Sequence, residues 1–134
     1  MGYNMDIIQR LTGYGKAQRT SRHVLADVAL DLAHSAAHHE IDESDAMRCY
    51  LVYLKASTGA KADPADRSVR VNASKMRQII KAADPELLQR VMTFSNRIPF
   101  GQRRSMYAAM VDACRLQLNG RRVTNGVLRK LLTM

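Results

Sequence analysis

Apolar side chains recur every three or four residues along much of this chain, and this period constrains the fold more than any other feature. In the segment RHVLADVALDLAHSAAHH, Val28 belongs to an apolar helical face and Asp31 belongs to the opposite face. The pattern predicts a helix over about residues 21–38, with Thr20 or Ser21 as its N-cap.

Residues that cap or break helices divide the rest of the chain into further helical segments. Asn4 is placed to cap a short helix, MDIIQRL, and the two glycines of TGYGK (residues 12–16) predict a loop after it. Asp42 predicts the start of another helix, because its carboxylate can cap the first turn, and Gly59 predicts the end of that helix.

The second half of the chain also contains residues that cap or break helices. The small and polar residues of STGAKADPADRS (residues 57–68) predict a loop. A long helix is predicted over about residues 102–118, and Gly120 ends it. Three more helices are predicted to begin at Asn72 or Ser74, at Asp84-Pro85-Glu86, and at Thr124.

The composition agrees with a helical protein. Hydrophobic residues make up 46% of the 134 residues, whereas aromatic residues make up 5% and tryptophan is absent. The core must therefore consist largely of Leu, Ile, Val, Met and Ala, of which Ala, Leu and Met favour helices. We predict one all-α domain over residues 1–134, a compact bundle of about six helices with a C-terminal helix-turn-helix-like hairpin.

The sequence also bears on location and cofactors. No apolar run approaches the roughly 20 residues needed to cross a bilayer, and the N-terminus lacks the regions of a secretory signal. Cys49 and Cys114 form neither a metal-binding spacing nor a CxxC motif. We expect a cytoplasmic protein with buried, reduced thiols, no membrane association and no cofactor.

Charge is distributed unevenly along the chain. Residues 1–66 carry seven Lys/Arg and nine Asp/Glu, a net charge of −2, whereas residues 67–134 carry fourteen and three, a net charge of +11. An acidic N-terminal half and a basic C-terminal half suggest that the second half faces a polyanion. In the basic half arginine outnumbers lysine eleven to three, which suits bidentate contacts with phosphate or guanine.

The segment QLNGRRVTNGVLRKLLTM (residues 117–134) joins a long helix to a short last helix through a turn that contains Gly120. This layout is typical of a helix-turn-helix, although a plain terminal helical hairpin fits the same pattern. The segment SKMRQIIKAADPELLQRV (residues 74–91) offers a rival layout with basic residues on its outer face. The candidate nucleic-acid-binding residues are Arg77, Lys81, Arg97, Arg103, Arg104, Arg121, Arg122, Asn125, Arg129 and Lys130.

The low aromatic content argues against proteins that stack unpaired bases, so the expected polyanion is double-stranded DNA. We predict a small regulatory factor of the phage or plasmid type. The alternative is a protein-binding adaptor or inhibitor whose basic face docks on an acidic partner. The acidic half is expected to supply the scaffold, with a homodimer or partner surface as a further possibility.

Catalytic and metal chemistry have weaker signals. His34 and His38 are spaced like two metal ligands on a helix, but a solvated helix end is the favoured interpretation. The acidic residues Asp42, Glu43 and Asp45 resemble capping and first-turn charges more than a catalytic set, which needs acids from separate elements. We predict no enzymatic activity and no metal site.

Overall fold

The computed structural model describes residues 5–17, 24–59 and 62–134, and in these ranges the chain forms seven α-helices and no β-strand. Short 3₁₀ turns precede the third and sixth helices. The prediction of an all-α fold is therefore confirmed. The helices are α1 (Met5–Ala17), α2 (Val24–Ala37), α3 (Ala46–Thr58), α4 (Arg67–Ala82), α5 (Pro85–Ser95), α6 (Met106–Leu118) and α7 (Asn125–Thr133).

Several helix boundaries lie where the capping residues placed them. The Asp42 carboxylate accepts a hydrogen bond from the Ser44 N–H and the Asp45 carboxylate accepts one from the Asp42 N–H, a capping box at the 3₁₀ turn before α3. The Asp84 carboxylate accepts from the Leu87 N–H, and Pro85 is the first residue of α5. The N-cap expected at Asn4 and the helix start expected at Thr20 or Ser21 lie outside the described residues.

The glycines of TGYGK do not interrupt α1, so the loop predicted at residues 12–16 is wrong. Gly15 lies where α1 packs against α3, and a Cβ built there would stand 2.5 Å from the Tyr53 carbonyl oxygen and 2.6 Å from Ala56 Cβ. Glycine is a poor helix former by about 1 kcal/mol. The close approach of the two helices explains its presence within one.

The first basic helix also begins earlier than predicted. Asp66 caps α4 by accepting a hydrogen bond from the Ser68 N–H, so the helix starts at Arg67 rather than after Asn72 or Ser74. Val69 is buried and extends the apolar face of α4. The sixth helix begins later than predicted, because Ser105 caps it and residues 100–102 form a 3₁₀ turn.

All seven helices contribute to one hydrophobic core. The last helix, α7, packs against α5 and α6, while α4 contacts α2, α3 and α6. None of the helices in the described ranges has the length and apolar character needed to cross a bilayer. Buried core residues include Leu11 of α1, Leu32 of α2, Cys49 of α3, Ile79 of α4, Leu88 of α5, Met110 of α6 and Leu128 of α7.

Candidate nucleic-acid interface

The last helix has one buried face and one solvent-facing polar face. Thr124 begins α7, since its Oγ1 accepts a hydrogen bond from the Val127 N–H at 3.3 Å. Leu128, Leu131 and Leu132 are buried against the core, as their spacing predicts. The exposed residues of the helix are Asn125, Gly126, Arg129, Lys130 and Thr133.

A phenylalanine joins α7 to α5. The ring of Phe94 lies beneath two guanidinium groups, with its centroid 5.8 Å from Arg97 Cζ and 5.7 Å from Arg129 Cζ. Both distances fall within the range of cation–π contacts, which favour Arg over an aromatic face. The contacts bring together two cations that are 32 positions apart in the sequence and hold both at the surface.

Two grooves extend from this point and share the residues Arg90 and Asn125. The first has a volume of about 270 Å³ and contains Phe94 and Arg97. The second has a volume of about 470 Å³ and contains Arg121 and Arg122 from the turn before α7. Because the grooves share these two residues, we treat them as one region, which we call the α5–α7 basic surface. Its residues are Arg90, Arg97, Arg121, Arg122, Asn125 and Arg129.

Arg90 belongs to this surface although sequence reasoning missed it. Its Nη2 donates hydrogen bonds to the Val123 carbonyl oxygen at 2.9 Å and to Asn125 Oδ1 at 3.3 Å. These bonds tie α5 to the turn and the first residue of α7. Arg90 and Phe94 lie on one face of α5, and Arg97 follows just after the helix ends at Ser95. This spacing of four and three residues is the signal that could have identified Arg90.

The surface retains most of its positive charge. Among the described residues, no carboxylate forms an ion pair with Arg97, Arg121 or Arg129, and each of these side chains is exposed. Arg122 is likewise exposed and unpaired within those residues. Glu86 is the one carboxylate that lines either groove in the described part of the chain. Such a surface attracts anions, and Glu86 reduces the attraction locally.

Five of the predicted residues lie outside this surface. One of them, Lys130, is exposed in the last turn of α7. Arg77 is 3.8 Å, from Nε to Oε2, from Glu43, in a separate groove between α4 and the start of α3 that also contains Arg70. Lys81 is exposed in the last turn of α4. Arg103 and Arg104 line another cavity, beside α2 and α6. The predicted set therefore does not form a single surface, although Arg97, Arg121, Arg122, Asn125 and Arg129 do.

Arg104 is partly buried and is engaged in contacts within the protein. Its Nη1 donates to Asp112 Oδ2 at 2.5 Å and to the Leu131 carbonyl oxygen at 3.3 Å, and its backbone N–H donates to the Leu132 carbonyl oxygen at 2.5 Å. These contacts fix the C-terminal end of α7 against the start of α6. The role of Arg104 is thus structural, because it holds the end of α7 in place.

The histidines and the acidic cluster have local partners. The His38 ring contacts the His34 carbonyl oxygen through Nδ1 at 2.9 Å, and Asp42 and Asp45 form the capping box. In the described ranges no group of three or more His, Cys, Asp or Glu side chains is arranged to hold a metal ion.

Comparison of the chain with protein-family models, curated proteins and solved structures gave no significant match.

Proposed function

We propose that the protein binds double-stranded DNA through the α5–α7 basic surface. The observation that carries this proposal is that two adjoining grooves share Arg90 and Asn125. Together the grooves are lined by four arginines, and a fifth, Arg129, lies over Phe94 beside them. Arginine and asparagine are the side chains that most often contact phosphate and base edges.

In this arrangement α6 and α7 act as a helix-turn-helix, with α7 as the recognition helix. Its outward face carries Asn125 and Arg129, four residues apart and therefore on one side. Asn125 is the first helical residue, and the N-terminal end of a recognition helix is the part that reaches base edges. Arg121 and Arg122 precede the helix and are placed to contact the flanking phosphates.

Charge and geometry favour the duplex over other polyanions. Phe94 lies beneath two arginines, so its ring is already occupied by cations. Single-strand binders need free aromatic rings on which bases stack. The same exposed arginines are compatible with an acidic protein partner, and the experiment below separates that adaptor function from DNA binding. Regulation of phage or plasmid type is the biological setting that we propose for DNA binding.

Fluorescence anisotropy with a labelled duplex of about 25 base pairs tests the proposal. Contacts with about five phosphates predict a slope of log affinity against log salt near −4.5, and so a roughly 500-fold loss between 50 and 200 mM salt. The single strand of the same sequence serves as the competing ligand. Weak binding to the duplex at 50 mM salt, with tight binding to polyglutamate, would favour the adaptor instead.

Charge-matched variants locate the site. Arg97→Ala and Arg129→Ala should each reduce the magnitude of the salt slope by about 0.9, because each removes one phosphate contact. Arg67→Ala is the control, since Arg67 is exposed at the start of α4 and lines neither groove. Equal effects of all three substitutions would mean that net charge, rather than this surface, drives binding.

A further inference from the structure

A cavity of about 310 Å³ lies where α2, α5 and α6 meet the 3₁₀ turn Phe100–Gln102. None of its lining residues belongs to the α5–α7 basic surface. Its volume is at the lower end of the roughly 300–1,000 Å³ that is typical of small-molecule sites. The cavity combines three polar features with apolar walls, and those features converge on one kind of ligand.

The first feature is a buried hydroxyl group that has no partner in the described part of the chain. Ser95 lines the cavity and is 1% exposed, and within the described residues its Oγ makes no hydrogen bond. Buried hydroxyl groups are nearly always hydrogen-bonded, because an unpaired one costs about 1–3 kcal/mol. A ligand in this cavity can supply the missing partner.

The second feature is the Arg103 guanidinium, a cation that contacts the backbone of Ser95. Arg103 Nη1 donates to the Ser95 carbonyl oxygen at 3.1 Å, and its Cζ lies 5.1 Å from the centroid of the Phe100 ring. Within the described ranges no carboxylate pairs with Arg103. A guanidinium group has five N–H donors, so four of them remain for other acceptors.

The third feature is the N-terminal end of α6. Ser105 Oγ accepts from the Ala108 N–H, whereas the N–H groups of Met106 and Tyr107 have no acceptor among the described residues. Both residues line the cavity. Free N–H groups at the start of a helix favour an anion. These N–H groups belong to residues that line the same cavity as Arg103 and Ser95.

We infer that this cavity binds a small monocarboxylic acid with an apolar body. The carboxylate would accept from Arg103 and from the start of α6, and it would accept a hydrogen bond from Ser95 Oγ. Leu25, Ala26 and Phe100 line the remainder of the cavity and suit an apolar group.

The charge of the site selects a monoanion. Arg104 also lines the cavity, but Asp112 already neutralises it. Within the described residues, Arg103 is thus the one guanidinium of the cavity that no carboxylate neutralises, and it balances one negative charge. A planar carboxylate also matches the fork of the guanidinium group, whereas phosphate carries more charge than the site offers.

Titration of ¹⁵N-labelled protein with phenylacetate, followed by ¹H–¹⁵N correlation spectra, tests this inference. Phenylacetate should shift the Met106 and Tyr107 amide signals and the Arg103 Nε signal in a saturable manner. Phenylacetamide, which has the same shape without the charge, should bind at least about tenfold more weakly. Inorganic phosphate is the third probe. Equal binding of phenylacetamide would contradict the assignment, as would stronger binding of phosphate at the same amides.

Variants separate the site from general attraction to a basic protein. Arg103→Gln and Ser95→Ala should each weaken phenylacetate binding, by about tenfold and several-fold respectively. Arg121→Gln removes the same charge outside the cavity and should leave the affinity unchanged. If Arg103→Gln does not fold, Arg103→Lys keeps the charge but loses the planar fork and should still weaken binding. Unchanged affinity in both Ser95→Ala and a folded Arg103 variant would overturn the inference.

Discussion

Arg104 forms a hydrogen-bonded ion pair with Asp112, with 2.5 Å between Nη1 and Oδ2, and both side chains are largely shielded from solvent. The same arginine donates to backbone carbonyl groups at the end of α7. This pair therefore links the start of α6, the middle of α6 and the end of the last helix. Arg104 therefore has a structural role, although in the sequence it resembles a residue that contacts DNA.

Asp112→Ala is expected to lower the free energy of unfolding by about 1–3 kcal/mol, because it leaves the partly buried Arg104 without its carboxylate. Urea denaturation followed by circular dichroism measures the change. In the folded variant, DNA affinity at fixed salt should change little, whereas Arg97→Ala should weaken it without a comparable loss of stability. If Asp112→Ala has the same free energy of unfolding as the wild type, the pair contributes nothing to stability.

The packing of α1 on α3 makes a second prediction. Gly15→Ala places a methyl group against the Tyr53 carbonyl and Ala56, and we expect a loss of about 1–3 kcal/mol. Gly13→Ala is the matched control, because a Cβ at Gly13 meets nothing within 4 Å. It should stabilise the helix by about 0.5–1 kcal/mol. Thermal or urea unfolding of the two variants should thus move in opposite directions.

These two glycines illustrate what the sequence can and cannot predict. Caps such as Asp42, Asp84 and Thr124 could be predicted from the sequence, because each acts on backbone groups within three residues. The need for Gly15 depends on a carbonyl 38 residues away, at Tyr53, and local propensity carries no information about it. Tertiary packing therefore overrode the loop signal of TGYGK.

The candidate site, too, could be predicted from the sequence only in part. The outward face of α7 followed from its helical period, and the exposed positions of Asn125 and Arg129 agree with it. The separation of Arg77 and Arg103 from that face could not be predicted, because it depends on how α4 and α6 are placed in the bundle. Charge density along the sequence identifies a basic half but does not identify a surface.

The end of α2 offers a stabilising substitution. His39 adopts a left-handed conformation, with φ of 59°, and its side chain is exposed. Glycine adopts this conformation without the strain that a Cβ introduces, so His39→Gly should raise the free energy of unfolding by about 0.5–1 kcal/mol. His38→Gly is the neighbouring control and should not stabilise, since His38 is not in that region of φ. Denaturation in guanidinium chloride measures the free energy of unfolding of both variants, and the curves should have equal slopes.

Alkaline pH should weaken the contact between α1 and α2. Tyr14 donates a hydrogen bond to Asp31 at 3.1 Å, and burial, together with the Asp31 charge, raises the pKa of Tyr14 to about 12. A pKa raised on folding means that the neutral phenol is favoured in the folded state. This stabilisation is complete below pH 10 and is lost as the pH rises from about 10 to 12.

The stability of Tyr14→Phe should therefore depend less on pH than that of the wild type over this interval. Absorbance at 295 nm reports phenolate formation. The difference in this absorbance between the wild type and Tyr14→Phe gives the titration of Tyr14 alone. Burial also raises the pKa values of Cys114, to about 12, and of Tyr107, so both proteins lose some stability at alkaline pH. A Tyr14 transition near pH 10 would contradict the prediction.

The one carboxylate that lines the described part of the α5–α7 basic surface gives the sharpest test of where DNA binds. Glu86 shares a groove with Arg90 and Arg97, so a phosphate in that groove is repelled by it. Glu86→Gln should tighten duplex binding about two- to fivefold at 50 mM salt, and the gain should shrink as salt screens the charge. Glu40→Gln makes the same change in net charge at an exposed position beyond α2. If both substitutions tighten binding equally, net charge controls affinity; if only Glu86→Gln does so, the phosphates lie in this groove.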